Sequence, residues 1–370
     1  MQDMVSEFMR QKRFAVIGAT DNPKKYGNEI VKNLKRRGYE VYPVNPRLKE
    51  IEGIKADRKT FGHRFLAENL LYIDSIENYK NILEKAFVVV EQEKRKKLIT
   101  QQAQELAKKV SGKILWNEEL LEEVNYLVEF PNSVLCSFSE KYLSLPEELL
   151  ITVMKDHQRY FAITDNEGKL KNYFVVVSNT LTENEETVRK GAERVIKARF
   201  EDAKFYFTED LKKGIERLLE ATKGIVYHKK LGSLYDKSLR IINISEKLSE
   251  KILPDKPDLV KLAAKYCKAD LASGVVGEFP ELQGIMGGYY VKALKLSDEV
   301  ALAIREHYLP KSLSDKIPST DLGCLLSIAD KLDHIASFFY LGEIPSGTED
   351  PFGLRRATNA VSYTHLRAHE

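Results

Sequence analysis

The sequence contains little cysteine, with only Cys136, Cys267 and Cys324 among its 370 residues. The three positions are far apart, so they show neither the spacing of a disulfide framework nor the short pairs of a zinc site. Each lies among apolar neighbours. We therefore predict buried, reduced thiols rather than redox groups or metal ligands.

Long apolar runs are also missing. No segment approaches the roughly twenty apolar residues that span a bilayer. Residues 1–13 lack an apolar stretch followed by a small-residue cleavage site, which is the pattern of a secretory leader. We expect a cytoplasmic protein with a packed core, for which 43% hydrophobic and 31% charged residues are ordinary values.

The chain carries no large charge of one sign. Its 58 basic and 55 acidic residues leave a formal net charge of +3. Any surface that binds nucleic acid must therefore be a local patch, because a global field is absent.

The most informative stretch that is present is residues 152–207. Two alternating runs, residues 160–164 and 173–177, flank the turn sequence DNEG and predict a hairpin. A helix is expected to follow, since Thr182 and Glu185 have the spacing of a capping box. Its apolar face holds Ile196, Phe200, Ala203 and Phe207, and an adjoining basic face holds Lys190, Arg194, Lys197 and Lys204.

Several ordered motifs resemble the glycyl-tRNA synthetase β-subunit family of the bacterial heterotetrameric type. They are MKDHQRYF at 154–161, VSN at 177–179, KGAERVIKAR at 190–199, HKKLGSLYDK at 228–237, GEFPELQGIMGGYY at 277–290 and DPFGLRR at 350–356. The resemblance extends over about residues 59–357. It implies a protein that helps to bind and position tRNA(Gly) for a separate α subunit, which adenylates glycine in an α2β2 assembly.

The same resemblance implies that ATP and Mg²⁺ act on the α subunit, so we expect neither an intrinsic cofactor nor a catalytic residue in this chain. The basic residues of the predicted helix are the candidate contacts for tRNA phosphates, namely Arg189, Lys190, Arg194, Lys197 and Arg199. A solvated face with Glu–Lys pairs within the helix is the alternative interpretation. His157 could act as a general base, but a polar role at a domain or subunit interface is favoured.

The N-terminal segment has a different character. A strand at residues 14–17, a helix from Tyr26 to Arg37 and a strand at residues 40–44 predict the opening of a nucleotide-binding parallel sheet. The sequence of this segment resembles the start of small CoA-binding proteins with a Rossmann-like fold. That resemblance implies a CoA diphosphate near Gly18, Ala19, Thr20 and Lys25.

This N-terminal pattern stops near Ala56 and the synthetase-like pattern begins near Lys59 without a linker. We therefore expect residues 1–57 to be a truncated unit joined by a recent fusion or an assembly error. Residues 361–370 resemble translated sequencing-adapter read-through. Between these ends, residues 58–210 are expected to be mixed α/β, with a strand at 87–90 and a hairpin at 126–138, and residues 211–360 to be helical.

The helical region is similar to HD phosphohydrolases, which implies a metal site. Where their His-Asp pair is expected, the chain has Ala269 and Asp270, with Asp330 and Asp333 as further weak candidates. The imidazoles that favour transition metals are missing from the motif. A degenerate structural module is favoured, with His307 as a partly buried residue at a helix end. Gly284, Gly287 and Gly288 are expected to allow close helix packing rather than to cradle phosphate.

The sequence thus predicts an α+β protein with three successive parts. The favoured function is that of a glycyl-tRNA synthetase β-subunit fragment. A CoA-binding regulatory protein and a metal-dependent phosphohydrolase are the alternatives.

Overall fold

The computed structural model describes residues 13–45, 48–55, 59–67, 69–75, 77–312, 315–346 and 349–367. The predicted junction near Arg58 and the last three residues of the predicted foreign tail lie outside these ranges. The chain divides into two compact units. The first consists of residues 1–137 and 159–193, and the second of residues 138–158 and 194–370. Within the described ranges, no helix is both long and apolar enough to cross a membrane.

The first half of the chain alternates strands and helices. In order, these are β1 Arg13–Ile17, α1 Tyr26–Arg36, β2 Glu40–Val44, β3 Glu50–Ile51, β4 Ile54–Lys55, β5 Lys59–Phe61, β6 Leu70–Tyr72, α2 Tyr79–Lys85, α3 Gln92–Lys109, β7 Lys113–Ile114, α4 Glu118–Leu127, β8 Asn132–Ser137, α5 Glu147–Thr152, β9 Phe161–Thr164 and β10 Leu170–Ser178.

The second half is almost entirely helical. Its elements are α6 Glu185–Lys213, α7 Ile215–Ala221, β11 Val226–His228, β12 Gly232–Ser233, α8 Leu234–Ile252, α9 Pro257–Tyr266, α10 Gly274–Glu278, α11 Ile285–Ala293, α12 Asp298–Glu306, α13 Asp321–Tyr340 and α14 Leu354–Arg367. The predicted change from mixed to helical structure is confirmed.

The N-terminal strand, helix and strand form as predicted. Strands β1 and β2 pair in parallel, from Arg13 opposite Glu40 to Ile17 opposite Val44. Helix α1 contributes Val31 to a small core with Val16 and Val41. In the described residues this sheet has only two strands, so the structure does not confirm a Rossmann-like domain.

The main sheet of the first unit has the strand order β7-β9-β10-β8, and all its neighbours are antiparallel. The predicted hairpin is its β9–β10 pair, and Gly168 in the turn has a φ of 88°. Helices α3 and α4 supply residues to the core beneath this sheet, where Ile99, Phe161 and Ile163 are completely buried. An antiparallel sheet covered by helices on one face thus organises this unit.

Two strand predictions in this unit are wrong. Residues 87–90 form a turn and an irregular segment, in which Phe87 has a φ of 59°. The hairpin expected at residues 126–138 is instead the end of α4 followed by the single strand β8. Helical spacing from Leu120 to Val124 continues into Leu127, and β8 finds its partner in the more distant β10.

Helix α6 has 29 residues, begins in the first unit and ends in the second. Its predicted apolar face is confirmed for Ile196, Phe200 and Ala203, which are completely buried, whereas Phe207 is half-buried. Phe138 and Tyr142 pack on Phe200, with ring centroids at 5.0 and 5.4 Å.

Close helix packing at Gly287 and Gly288 is also confirmed. A Cβ atom at Gly287 would lie 2.8 Å from the Ile304 side chain, and one at Gly288 would lie 2.8 Å from the carbonyl oxygen of Ala301. Any larger residue would therefore push α11 away from α12.

Candidate functional sites

The predicted CoA site lies in the loop between β1 and α1. Gly18 has a φ of 74°, and Ala19 is completely buried. The side-chain amide of Asn45 donates to the carbonyl oxygen of Ala19 at 2.6 Å, and that of Asn28 donates to the carbonyl oxygen of Thr20 at 2.8 Å. The loop is thus ordered by the protein's own side chains. Exposed Lys25 lies just before α1, and CoA binding stays a prediction.

The five candidate tRNA contacts differ in their surroundings. Arg189 is partly buried and forms ion pairs with Glu185 and Glu186, and its Nε donates to the carbonyl oxygen of Leu135 at 2.9 Å. The ammonium of Lys190 lies 3.3 Å from Glu186. These two cations are already partly neutralised, as the alternative interpretation of the helix expects.

Arg194, Lys197 and Arg199 are exposed, and in the described part of the chain they form no ion pair. Arg194 and Lys197 are three residues apart and so lie on one side of α6. Arg199 follows Lys197 by two residues, which places it about 200° around the helix. The structure therefore brings Arg194 and Lys197 together and separates Arg199 from them.

One acidic residue, Glu201, lies on the same side of α6 as Lys197. It accepts hydrogen bonds from the Lys141 ammonium and the Tyr142 hydroxyl, both at 2.6 Å. The Lys141 and Tyr142 hydrogen bonds lower the pKa of Glu201 to about 2. Its charge is therefore balanced by Lys141, and the basic character of this face persists.

The second unit contains a buried cluster of opposite charges. The Lys237 ammonium lies 2.9 Å from carboxylate oxygens of both Asp330 and Asp333. The Lys268 ammonium lies 2.7 Å from Asp330, and Arg240 binds Asp333 through its Nε at 2.6 Å. Burial opposes ionisation of Asp330, but Lys237 and Lys268 outweigh that effect and hold its pKa well below the usual range.

These contacts bear on the predicted metal candidates. Asp330 and Asp333 bind ammonium and guanidinium groups, whereas Asp270 accepts the backbone N–H groups of Gly284 at 2.6 Å and Gly287 at 3.0 Å. No group of three or more potential metal ligands occurs in the described segments. Burial raises the pKa of Asp270 to about 6 against the effect of those N–H donors. The phosphohydrolase alternative is not favoured by this arrangement.

His307 is more deeply buried than predicted. Its Nδ1 lies 2.6 Å from the carbonyl oxygen of Ile304, and its Nε2 lies 2.8 Å from the Lys268 ammonium. Burial and the neighbouring Lys268 charge hold the pKa of His307 well below its ordinary value. His307 is therefore neutral at pH 7 and can accept a hydrogen bond from Lys268.

Lys237, Lys268 and Lys331 were not singled out by the sequence analysis, although they line a cavity of about 310 Å³. For Lys237 a signal exists, because it precedes buried Ile241, Ser245 and Ser249 at intervals of four on the inner face of α8. A lysine at such a position predicts a buried partner. Its partner Asp333 is 96 residues away, so the sequence could not identify it.

His157 packs against Phe279 in the second unit, with ring centroids 5.0 Å apart. It ends a π-helical turn, Val153–His157, that follows α5. This position fits a packing role, and no nucleophile was predicted beside it.

Comparison with known proteins explains the motifs. The sequence profile of the glycyl-tRNA synthetase beta subunit matches residues 44–369, more of the chain than the predicted 59–357. The chain belongs to the glycyl-tRNA synthetase beta subunit family. A relative from Thermodesulfovibrio yellowstonii, named glycine–tRNA ligase beta subunit, is 77% identical over 312 residues, which are 84% of this chain and 46% of the relative.

Relatives of the same name are more distant. The Syntrophomonas wolfei protein is 45% identical over 83% of this chain and 44% of its own length, and the Clostridioides difficile protein is 45% identical over 83% and 45%. The chain thus spans less than half of these curated relatives. A crystal structure of a predicted HD superfamily hydrolase from an uncultured Thermotogales bacterium has 17% identity and a TM-score of 0.27, over 42% of this chain and 87% of its own. That score is too low to support an argument about the fold.

Proposed function

We propose that this chain acts as part of a glycine–tRNA ligase β subunit in the cytoplasm. In this proposal it helps to bind tRNA(Gly) and to position it for an α subunit in an α2β2 assembly. The α subunit would use ATP and Mg²⁺ to activate glycine. The observation that carries the proposal is the family match over most of the chain.

The exposed basic side of α6 supports a role in tRNA binding. Arg194 and Lys197 have no carboxylate partner in the described residues, so their charges are available to phosphates. Contacts of this kind release counterions and depend on salt without reading base sequence. The contribution of α6 would therefore be affinity and position rather than sequence specificity.

The first experiment is co-purification of the full chain with the α subunit of a close relative, with tRNA(Gly) retention measured at two salt concentrations. We expect the α subunit to be retained, and tRNA to be retained at low salt and lost at higher salt. Retention of neither by a folded chain would contradict the proposal.

A charge reversal tests the role of α6 directly. The double variant Arg194→Glu/Lys197→Glu should bind tRNA(Gly) more weakly, and the slope of log affinity against log salt should fall by about one for each lost phosphate contact. The matched control is Lys247→Glu/Lys251→Glu, which reverses two exposed charges on α8. If both double variants lose affinity equally, the effect is one of net charge and α6 is not a tRNA contact.

A further inference from the structure

The cavity of the second unit has more positive than negative charge in its wall. Its lining residues include Lys237, Lys268, Asp330 and Lys331, together with the rings of Tyr227 and Tyr308. Three of these residues are lysines and one is a carboxylate. Behind the wall, Asp333 is shared between Lys237 and Arg240, so it does not remove the excess.

Lys331 is the lysine without an acidic partner. Its ammonium donates to the carbonyl oxygens of His307 and Leu309, at 3.2 and 2.8 Å, and to the Ser327 hydroxyl at 2.7 Å. All three acceptors are neutral, and no carboxylate in the described part of the chain forms an ion pair with Lys331. An unpaired cation in a poorly hydrated place is costly unless an anion accompanies it.

We propose that this cavity binds a small phosphate-type anion. Lys331, whose three N–H groups are already donated to neutral acceptors, would attract it through its unpaired charge, with Lys237 and Lys268 as supporting charges. The volume lies at the small end of ligand pockets. The ring faces of Tyr308 and Tyr227 already carry the Lys268 and Lys237 ammonium groups, at 3.9 and 4.9 Å from the ring centroids. Recognition therefore rests on the anion rather than on stacking of a base.

The surroundings of Lys331 determine how binding depends on pH. The titratable and charged groups of this region are Asp330, Asp333 and His334 on α13, Lys237 and Arg240 on α8, Lys268 and Asp270 before α10, His307 and Tyr308 after α12, and Tyr227 on β11. Burial lowers the pKa of Lys331 to about 8, although Asp330 opposes this. A bound anion would raise that pKa again, so Lys331 takes up a proton on binding above pH 8.

Sulfate is the first probe, because it keeps the same charge from pH 7 to 9. Titration calorimetry of the full chain should show one site, and affinity at pH 9 should be about ten-fold weaker than at pH 7, since the protonated fraction of Lys331 falls by about that factor. Ionic strength is held constant with chloride. Absence of sulfate binding would overturn the proposal.

Lys331→Gln tests the assignment, since glutamine keeps donors for the carbonyl oxygens but lacks the charge. It should bind sulfate at least about ten-fold more weakly and without the pH dependence. Lys292→Gln is the control, because Lys292 is exposed beside Asp298, and it should behave as the unaltered chain. If Lys331→Gln does not fold, the presence or absence of sulfate binding by the unaltered chain still decides.

Inorganic phosphate and AMP distinguish the source of the anion. Equal affinities for inorganic phosphate and AMP, or binding of phosphate alone, would support recognition of the phosphate group itself. Tighter binding of AMP would contradict recognition through the anion alone. If neither inorganic phosphate nor AMP binds, that result contradicts the proposal, as absent sulfate binding does. The tRNA experiment is independent, because it alters α6 and leaves this cavity intact.

Discussion

At the scale of single residues, Asp270 shows how a buried carboxylate can serve packing. It is completely buried and ties the loop before α11 to the first turn of that helix through two backbone N–H groups. Burial raises its pKa from 3.8 to about 6, so the folded state disfavours the ionised form. Its stabilising contribution is therefore complete below pH 4 and declines as the pH rises through 6.

Replacing Asp270 with asparagine should remove this pH dependence. We expect the free energy of unfolding of Asp270→Asn, relative to the unaltered chain, to increase by about 3 kcal/mol between pH 4 and pH 7, which corresponds to a shift of about two pKa units. Urea unfolding at several pH values measures the difference. The exposed Asp255→Asn is the control, and a constant difference for both variants would show that Asp270 is not perturbed.

The residue scale is also where sequence analysis was weakest. The exposed cations of α6 could be named from helical spacing. Whether their charges are available depends on neighbours that the sequence does not reveal. Leu135 accepts a hydrogen bond from Arg189, and Lys141 neutralises Glu201 on the same helix. The cavity lysines were not predicted because their partners are distant in sequence. Lys268 and Asp330, for example, are 62 residues apart.

At the scale of elements, the helices could be predicted from the sequence more easily than the strands. The helical structure predicted for residues 211–360 is confirmed in α7, α8, α12 and α13, because an apolar face repeats every three or four residues. Helix α11 shows less of that contrast between faces, since its sequence is a run of glycine and tyrosine. Strand β8 was misjudged because its pairing with β10 is set by tertiary structure.

The buried face of α6 can be tested with two identical substitutions. Phe200→Ala removes a completely buried ring and should lower the free energy of unfolding by about 3–5 kcal/mol. Phe205→Ala, on the same helix, removes a ring that is 62% exposed and should change it by less than about 0.5 kcal/mol. Chemical denaturation monitored by circular dichroism gives both values. Similar losses for the two variants would refute the assigned orientation of α6.

At the scale of the whole molecule, the three cysteines are free and buried, as predicted. Burial raises the pKa of Cys136 and Cys267 to about 12 and that of Cys324 to about 11. The thiolate is the reactive form. These side chains are therefore protected both by their burial, which limits access, and by their raised pKa, which disfavours ionisation.

Thiol labelling therefore reports on the integrity of the chain. With a chromogenic disulfide reagent at pH 8, we expect no rapid reaction in the folded protein and three equivalents after denaturation in urea. Cys136 lies in the first unit and the other two in the second, so separate unfolding would appear as steps of one and two thiols. Rapid labelling of any thiol without denaturant would contradict its burial.

The order of segments along the chain has a consequence for synthesis on the ribosome. Residues 138–158 belong to the second unit, but the chain then returns to the first unit until residue 193. The hydrogen bond from Tyr142 to Glu201 can form only after Glu201 has been synthesised. The contacts of Glu148 require Tyr289 and Arg305, which are synthesised later still. Nascent chains in which Arg305 has not yet been synthesised would therefore expose part of this core, which makes the segment 138–158 a candidate for chaperone contact during translation.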